Sequence, residues 1–99
     1  MTVTLHEASH ALGVETHYVV EIVEAGIVEP RLEQRGEAPR DWQFDADMLS
    51  RMQRACRLYR DLELDWAATA LVLDLLAEKE HLQRENQRLN RLLCRFIED

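Results

Sequence analysis

The sequence predicts a mostly α-helical protein, with a helix-turn-helix head, a small two-stranded wing and a long C-terminal helix. Three observations predict this fold. Apolar residues recur at helical spacing in four segments of the chain. Glycine and proline interrupt the chain between the second and third segments, and neither residue occurs in the last one.

The composition is typical of one soluble globular domain, with 99 residues, 46% hydrophobic and 31% charged. The apolar-rich stretch at residues 64–77 contains Asp65 and Asp74, so it is too short and too polar to span a bilayer. The N-terminus lacks the charged start and apolar core of a signal peptide, so we expect cytoplasmic localisation and no membrane association. Cys56 and Cys94 belong to no paired motif and are expected to be small apolar fillers.

Two short helices are predicted at the start of the head. Thr4 and Glu7 are spaced as in a capping box, which predicts a first helix over residues 5–12. Its expected buried face consists of Leu5, Ala8, Ala11 and Leu12. A second helix is predicted over residues 16–25, and Gly26 can end it in the left-handed conformation.

A small wing is predicted after the second helix. Residues 27–32 alternate weakly between apolar and polar types, and Trp42 and Phe44 alternate with a glutamine. Residues 33–41, which include a glycine and a proline, are expected to form the tip of this wing.

Two further helices are predicted after the wing. Asp45 is expected to cap a third helix over residues 46–62. The apolar face of that helix is predicted to contain Met48, Met52, Ala55, Tyr59 and Leu62. Asp65 is the predicted cap of a last helix from Trp66 to about Ile97, which would be about 48 Å long at 1.5 Å per residue. Much of so long a helix has to find a partner outside the head.

The last helix carries an apolar stripe with coiled-coil spacing over about four heptads. The expected dimer contacts are Val72, Leu75, Leu82, Asn86, Leu89, Leu93 and Phe96, with Ala68 and Lys79 completing the pattern. A lone helix cannot bury this stripe, so we expect a homodimer; the alternative is a helix that folds back on its own head. The spacing leaves parallel and antiparallel pairing open. Taken together, the predicted elements divide the chain into a winged-helix-like head at residues 1–64 and a coiled-coil dimerisation helix at residues 65–99.

The charge distribution argues against DNA binding by the head. Residues 1–30 contain five acidic residues and no lysine or arginine. The segment at residues 14–26, which would enter the major groove in a DNA-binding helix-turn-helix, carries Glu15, Glu21 and Glu24. Phosphate contacts require cations, so the expected partner is a basic protein surface and not a nucleic acid.

Neither an enzyme site nor a metal site is expected. No nucleophile, base and orienting group can be assembled from neighbouring motifs, and no glycine-rich phosphate loop occurs. His6 and His10 have a spacing that can bind zinc, but the sequence offers no evident third and fourth ligand. We therefore expect no cofactor.

Four segments of the chain resemble a known family: EIVEAGIVEPR, WQFD, QRACRLYRDLELDW and HLQRENQRLNRLLCRF. Together with the order of helix-turn-helix, wing and long helix, they resemble MerR-like winged-helix proteins and closely resemble the chaperone modulatory protein family CbpM. The resemblance implies a modulator that binds the J-domain of the DnaJ-like co-chaperone CbpA and inhibits its stimulation of DnaK. It also implies antiparallel pairing of the last helix with its twin.

A partner-binding patch is expected where the third and fourth helices meet. J-domains present a basic helix to DnaK, so an acidic competitor is physically reasonable. The predicted patch consists of Asp61, Glu63, Asp65, Trp66, Asp74 and Glu78. The competing interpretation makes Asp65 only a helix cap and Trp66 only a core residue. A rival patch is formed by Glu15, Glu21 and Glu24.

Two arginine stripes leave an alternative function open, that of a MerR-like nucleic-acid-binding transcriptional regulator. The stripes are formed by Arg51, Arg54, Arg57 and Arg60, and by Arg84, Arg88, Arg91 and Arg95. Such stripes suit a nucleic-acid backbone or an anionic membrane. The favoured interpretation pairs them with nearby carboxylates, since exposed ion pairs of that kind contribute roughly 0 to 1 kcal/mol each.

Overall fold

A computed structural model describes residues 1–32 and 38–98 and confirms the predicted, mostly helical fold. Its elements are α1 (Leu5–Leu12), α2 (Thr16–Glu24), β1 (Arg31–Leu32), β2 (Trp42–Gln43), α3 (Ala46–Leu62) and α4 (Trp66–Glu98). A single 3-10 turn, Pro39–Asp41, precedes β2. The molecule measures 59 × 34 × 20 Å because α4 extends well beyond the head.

The helix-turn-helix unit forms as its capping residues predict. The Thr4 Oγ1 atom accepts a hydrogen bond from the backbone N–H of Glu7 at 3.3 Å, and the Glu7 carboxylate accepts one from the N–H of Thr4 at 3.1 Å. Gly13 ends α1 with φ +69°, and Gly26 follows α2 with φ +79°. Both glycines therefore occupy the left-handed region, where a side chain would be strained.

The wing is shorter than the sequence predicts. Strands β1 and β2 pair antiparallel, with Arg31 opposite Gln43. Ile27 and Val28 do not belong to a strand, because both side chains are buried in the core below the sheet. Most of the predicted wing tip, residues 33–37, lies outside the described residues.

The core lies between the helix-turn-helix unit, the wing and the helices that follow. The largest fully buried side chain belongs to Phe44, whose backbone exchanges hydrogen bonds of 2.8 and 2.9 Å with Val3. The other buried apolar residues are Leu5, Ala8, Val19, Ile22, Ile27, Val28, Met52, Ala55 and Leu73. Each large side chain among them stabilises the fold by about 1.5 to 3 kcal/mol through burial.

Two predicted core positions are wrong. Ala11 is exposed, because the buried face of α1 follows the spacing of Leu5, Ala8, Ser9 and Leu12 instead. The buried Ser9 is satisfied by donating its hydroxyl to the His6 carbonyl at 2.8 Å. Leu62 is 56% exposed because it lies in the last turn of α3, beyond the packed part of that helix.

Three acidic residues mark the two ends of α3 and the start of α4. Asp45 caps α3 by accepting the N–H of Met48 at 2.8 Å, as predicted. At the other end, Glu63 adopts the left-handed conformation with φ +52° and ends the helix. Asp65 then accepts the N–H of Ala68 at 2.7 Å, which caps α4.

Helix α4 is attached to the head by its first half only. The side chains of Trp66, Thr69, Ala70 and Leu73 share one face of the helix and pack against the core. Two ion pairs continue this contact, from Arg51 to Asp74 at 2.8 Å and from Arg54 to Glu80 at 3.3 Å. Beyond Glu80, nearly every described side chain of α4 is exposed, and Cys94 is no apolar filler because it lies on this free half.

Two predictions concern the chain as a whole. The division into a head at residues 1–64 and a helix at residues 65–99 stays a prediction, since the first turns of α4 complete the core of the head. Among the described residues, no helix combines the length and the apolar character needed to cross a bilayer.

Candidate partner-binding and dimerisation surfaces

The predicted dimerisation stripe lies on the face of α4 that points away from the head. Its exposed members are Leu75 at 61%, Leu82 at 58%, Leu89 at 47%, Leu93 at 59% and Phe96 at 86%, together with Asn86. Val72 is half-buried. The helix does not fold its stripe back on the head, because the face that packs there is the one with Trp66 and Leu73.

Neighbouring side chains widen this stripe into a continuous apolar surface. Leu71 and Leu92 are 61% and 44% exposed, and Ile97 is 82% exposed. Soluble monomers rarely expose so many large apolar side chains along one surface. Within the described part of the chain, nothing covers them.

Trp66 holds the start of α4 against the helix-turn-helix unit. Its indole N–H donates a hydrogen bond of 2.6 Å to the carboxylate of Glu21 on α2. Its ring stacks on Tyr59 with the centroids 4.0 Å apart, and Tyr18 meets both rings edge-on. Trp66 is half-buried and packs against the core, so its geometry matches the interpretation as a core residue.

The predicted acidic patch is divided into two groups. Asp61, Glu63 and Asp65 come together at the turn between α3 and α4. Asp74 and Glu78 lie on α4, about 13 Å or more from Asp65 at 1.5 Å per residue. All five carboxylates are exposed.

The five carboxylates differ in what they already bind. Asp65 caps α4, and Asp74 forms an ion pair with Arg51. Asp61 lies 4.0 Å from the guanidinium of its neighbour Arg60, at the limit of an ion pair. Glu63 and Glu78 make no side-chain hydrogen bond or ion pair with any described residue, so they are the most available to a partner.

The rival patch on α2 is acidic but partly engaged. The Glu15 carboxylate lies 3.1 Å from the His17 ring, and Glu24 is exposed. Glu21 is half-buried and holds the indole of Trp66. Since α2 contains neither lysine nor arginine, the surface that would face DNA lacks the cations that phosphates require.

Several arginines of the two stripes have partners within the chain. Arg51 and Arg54 bind carboxylates of α4, as described above. Arg88 donates to Glu85 at 2.6 Å, and this hydrogen bond lowers the pKa of the Glu85 carboxyl. His6 and His10 are both exposed, and the described residues contain no cluster of three potential metal ligands.

Sequence reasoning missed a groove of about 670 Å³ between the α1–α2 turn and the last turns of α3. Its apolar lining includes Leu12, Val14, Tyr18 and Tyr59, and its cationic side includes Arg57 and Arg60. Burial raises the pKa of the Cys56 thiol, which also lines the groove, and the charge of Arg60 opposes this shift. The spacing of Gln53, Arg57 and Arg60 on one face of α3 is the signal that could have revealed it.

Comparison with known proteins identifies the family. The model of the MerR HTH family regulatory proteins matches residues 3–91. The chain is 46% identical over 81 residues to a chaperone modulatory protein CbpM of Pseudomonas putida (strain W619), covering 82% of this chain and 76% of that protein. It is 40% identical over 97 residues to the CbpM of Salmonella paratyphi B, covering 98% and 92%. The chain therefore belongs to the MerR helix-turn-helix family and, within it, to the CbpM chaperone modulatory proteins.

Proposed function

We propose that this protein is a chaperone modulator that binds the J-domain of a CbpA-type, DnaJ-like co-chaperone and competes there with DnaK. The name of its relatives supports the role of a chaperone modulator. A modulator of this kind needs no catalytic chemistry, since covering a surface is sufficient. A cytoplasmic location belongs to the same proposal, because DnaK and its co-chaperones act in that compartment.

The acidic α2 helix is the observation that carries this proposal. In a MerR-like DNA-binding protein, a helix in this position needs basic side chains that reach phosphates. Here the exposed charged residues are Glu15, at the N-cap position, and Glu24, while His17 is the only exposed residue of α2 able to become cationic. Such a surface repels DNA and attracts a basic protein.

The contact with the J-domain is proposed at the turn between α3 and α4. Asp61 and Glu63 are exposed there, next to each other on a rigid turn, and Glu78 offers a further free carboxylate on α4. Asp65, Asp74 and Trp66 complete the patch and keep their partners within the chain while they contact the J-domain. Carboxylates matched to a basic helix increase the rate of encounter and fix the orientation of the complex.

The proposal includes a homodimer formed through the exposed stripe of α4. The alternating spacing of its apolar residues suits the packing of two helices side by side. Burial of the stripe against a second copy would remove the large apolar side chains from water at about 25 cal/mol per Å². Lys79 and Asn86 interrupt the stripe and would restrict its alignment.

The charges of α4 favour antiparallel pairing. Residues 66–80 carry three carboxylates and one ammonium, whereas residues 81–97 carry four guanidiniums and one carboxylate. Antiparallel helices place these unlike halves side by side, and parallel helices place like halves together. A pyrene label on Cys94, in a Cys56→Ser variant, tests the orientation. Antiparallel pairing separates the two labels by roughly 30 to 40 Å at 1.5 Å per residue, so no excimer fluorescence should appear.

Titration calorimetry with the isolated J-domain of CbpA tests the proposed function. We expect a dissociation constant of about 1 μM or lower for the unmodified chain. Replacing Glu63 with lysine should weaken binding by about tenfold, or 1.4 kcal/mol. The matched control is Glu29→Lys, which makes the same charge change at an exposed position outside the patch and should bind normally.

Two other results would redirect the assignment. Weaker binding by Glu24→Lys, with normal binding by Glu63→Lys, would move the contact to α2. Absence of J-domain binding, together with duplex DNA binding that falls steeply with salt, would support the alternative of a nucleic-acid-binding regulator.

A further inference from the structure

The groove beside α3 differs in charge from the rest of the head. Its rim carries the guanidinium groups of Arg57 and Arg60 and the imidazole of His10, against the single carboxylate of Glu15. The opposite wall comes from residues 9–18, which contain no lysine or arginine. The groove is therefore a place where the head can attract an anion.

The two guanidiniums of the groove remain available to a ligand. Arg57 is exposed and forms no hydrogen bond or ion pair with any residue in the described ranges. Arg60 is 77% exposed, and the only carboxylate oxygen near it among these residues is that of Asp61 at 4.0 Å. By contrast, Arg51 and Arg54 on the same helix are both held by carboxylates of α4.

The floor of the groove is apolar and aromatic. Leu12 and Val14 contribute aliphatic surface from the α1–α2 turn, and Tyr18 and Tyr59 contribute rings from α2 and α3. A volume of about 670 Å³ falls within the range of natural ligand sites. An apolar floor beside cationic side chains is the arrangement that binds an amphipathic anion.

The layout of the polar groups favours a peptide over a single small carboxylate. Gln53, Arg57 and Arg60 follow one another along one face of α3 over about 10 Å, at 1.5 Å per residue. A site for a single small carboxylate has hydrogen-bond donors that converge on one point. The donors of these three side chains are instead arranged in a line along α3. An extended peptide advances about 3.3 Å per residue, so three or four of its residues match this length.

We propose that the groove between the α1–α2 turn and α3 binds an extended acidic peptide segment of a partner protein, with carboxylates on Arg57 and Arg60 and an apolar side chain against Tyr59. This site shares Glu15 with the acidic α2 face, but its two guanidiniums favour a ligand of the opposite charge. It does not depend on the proposed J-domain contact, because Arg57 and Arg60 are outside the acidic patch, although Trp66 borders both sites. Either site can be correct without the other.

The probe is the acetylated and amidated tetrapeptide Leu-Asp-Asp-Phe, titrated into the ¹⁵N-labelled full chain. We expect a dissociation constant of about 0.1 to 1 mM, with amide shifts around Gly13 and Tyr59. The matched peptide Leu-Asn-Asn-Phe keeps the shape and removes the charge, so it should bind at least about tenfold more weakly. Trp66 fluorescence in a Trp42→Phe variant provides a second readout, since Trp66 borders the groove.

Substitutions then locate the site. Arg57→Glu should weaken peptide binding by at least about tenfold, whereas Arg84→Glu on the free half of α4 should bind as the unmodified chain does. Unchanged dispersion of the amide spectrum shows that each variant is folded. Normal binding by Arg57→Glu, equal binding of the asparagine peptide, or shifts centred on residues 84–95 would each overturn the proposal. So would phenylacetate binding as tightly as the peptide, because a single carboxylate would then suffice.

Discussion

The indole N–H of Trp66 donates a hydrogen bond of 2.6 Å to the carboxylate of Glu21, which joins the first turn of α4 to the middle of α2. The two residues are 45 positions apart in the sequence. Their bond connects the helix that would read DNA in a MerR-like regulator to the helix that carries the dimerisation stripe. Both partners are half-buried, so water only partly replaces a lost bond.

Replacing Glu21 with alanine should therefore destabilise the protein. The indole N–H would lose a charged acceptor, and hydrogen bonds of this kind contribute about 1.5 to 3 kcal/mol. Urea unfolding measures the change. Glu24→Ala is the matched control, because Glu24 is exposed on the same helix and should change stability by less than about 0.5 kcal/mol. Equal losses in both variants would show that the bond contributes nothing.

The two ion pairs between α3 and α4 should differ in strength. Arg51 donates to the Ile27 carbonyl at 2.6 Å as well as to Asp74, and its side chain is 31% exposed. Among the described residues, Arg54 pairs only with Glu80, and both side chains are nearly half exposed. We expect Arg51→Ala to cost about 1 to 3 kcal/mol and Arg54→Ala about 0 to 1 kcal/mol in urea unfolding. The reverse order would contradict this assignment.

Replacing Glu63 with glycine should stabilise the chain. Glu63 has φ +52°, and the left-handed conformation costs a residue with a side chain about 1 to 2 kcal/mol. Part of this gain is lost because glycine has more freedom in the unfolded chain, so we expect about 0.5 to 1 kcal/mol. Asp61→Gly lies within α3, where glycine is less favourable than aspartate, and should instead destabilise by about 0.3 kcal/mol. The same sign for both changes in thermal unfolding would be inconsistent with this explanation.

Replacing Leu82 with aspartate should convert the proposed dimer into monomers. Leu82 lies near the middle of the exposed stripe, where a buried carboxylate would remain unpaired. Sedimentation equilibrium measures the mass. Gln87→Asp introduces the same charge off the stripe and should remain dimeric. A dimeric Leu82→Asp variant would show that the stripe is not the interface.

The free energy of unfolding should decrease at alkaline pH because the Cys56 thiol loses its proton. Burial raises the pKa of its thiol, and the nearby charge of Arg60 reduces that shift. The folded chain thus holds the proton more tightly than the unfolded chain does. The resulting stabilisation is complete below the unfolded thiol pKa and is lost as the pH rises through the folded pKa. Urea unfolding in reductant, from pH 7 to about 10, should show this loss in the unmodified chain and in Cys94→Ala but not in Cys56→Ala, because an unfolded thiol titrates near 8.5.

The fold was largely predictable because its signals are local. The capping residues Thr4, Asp45 and Asp65 each mark a helix start in the sequence, and all three accept the predicted type of hydrogen bond. The wing was predicted less well. The weak alternation of residues 27–32 predicts a strand over the whole segment, but Ile27 and Val28 are both buried in the core and strand β1 contains only Arg31 and Leu32.

The candidate sites were less predictable because they depend on contacts distant in sequence. The sequence leaves Trp66 open to both the partner-binding patch and the core, and its contacts with Glu21 and Tyr18 come from a segment distant in sequence. The groove was missed because it brings the α1–α2 turn next to Arg57 and Arg60, which are more than forty residues further along the chain. The spacing of Gln53, Arg57 and Arg60 indicates a shared polar face of α3, but it does not show which segment lies opposite that face.

Helix α4 completes the core with Leu73 and exposes its apolar stripe from Leu75 onward, without a break between the two parts. In the proposed dimer, this one helix would therefore belong both to the tertiary and to the quaternary structure. A second copy bound to the C-terminal turns of α4 would also oppose fraying of this helix, because binding to the folded form stabilises it by mass action. The melting temperature should then rise with protein concentration. Dilution alone would therefore destabilise the partner-binding surfaces that the start of α4 holds in place.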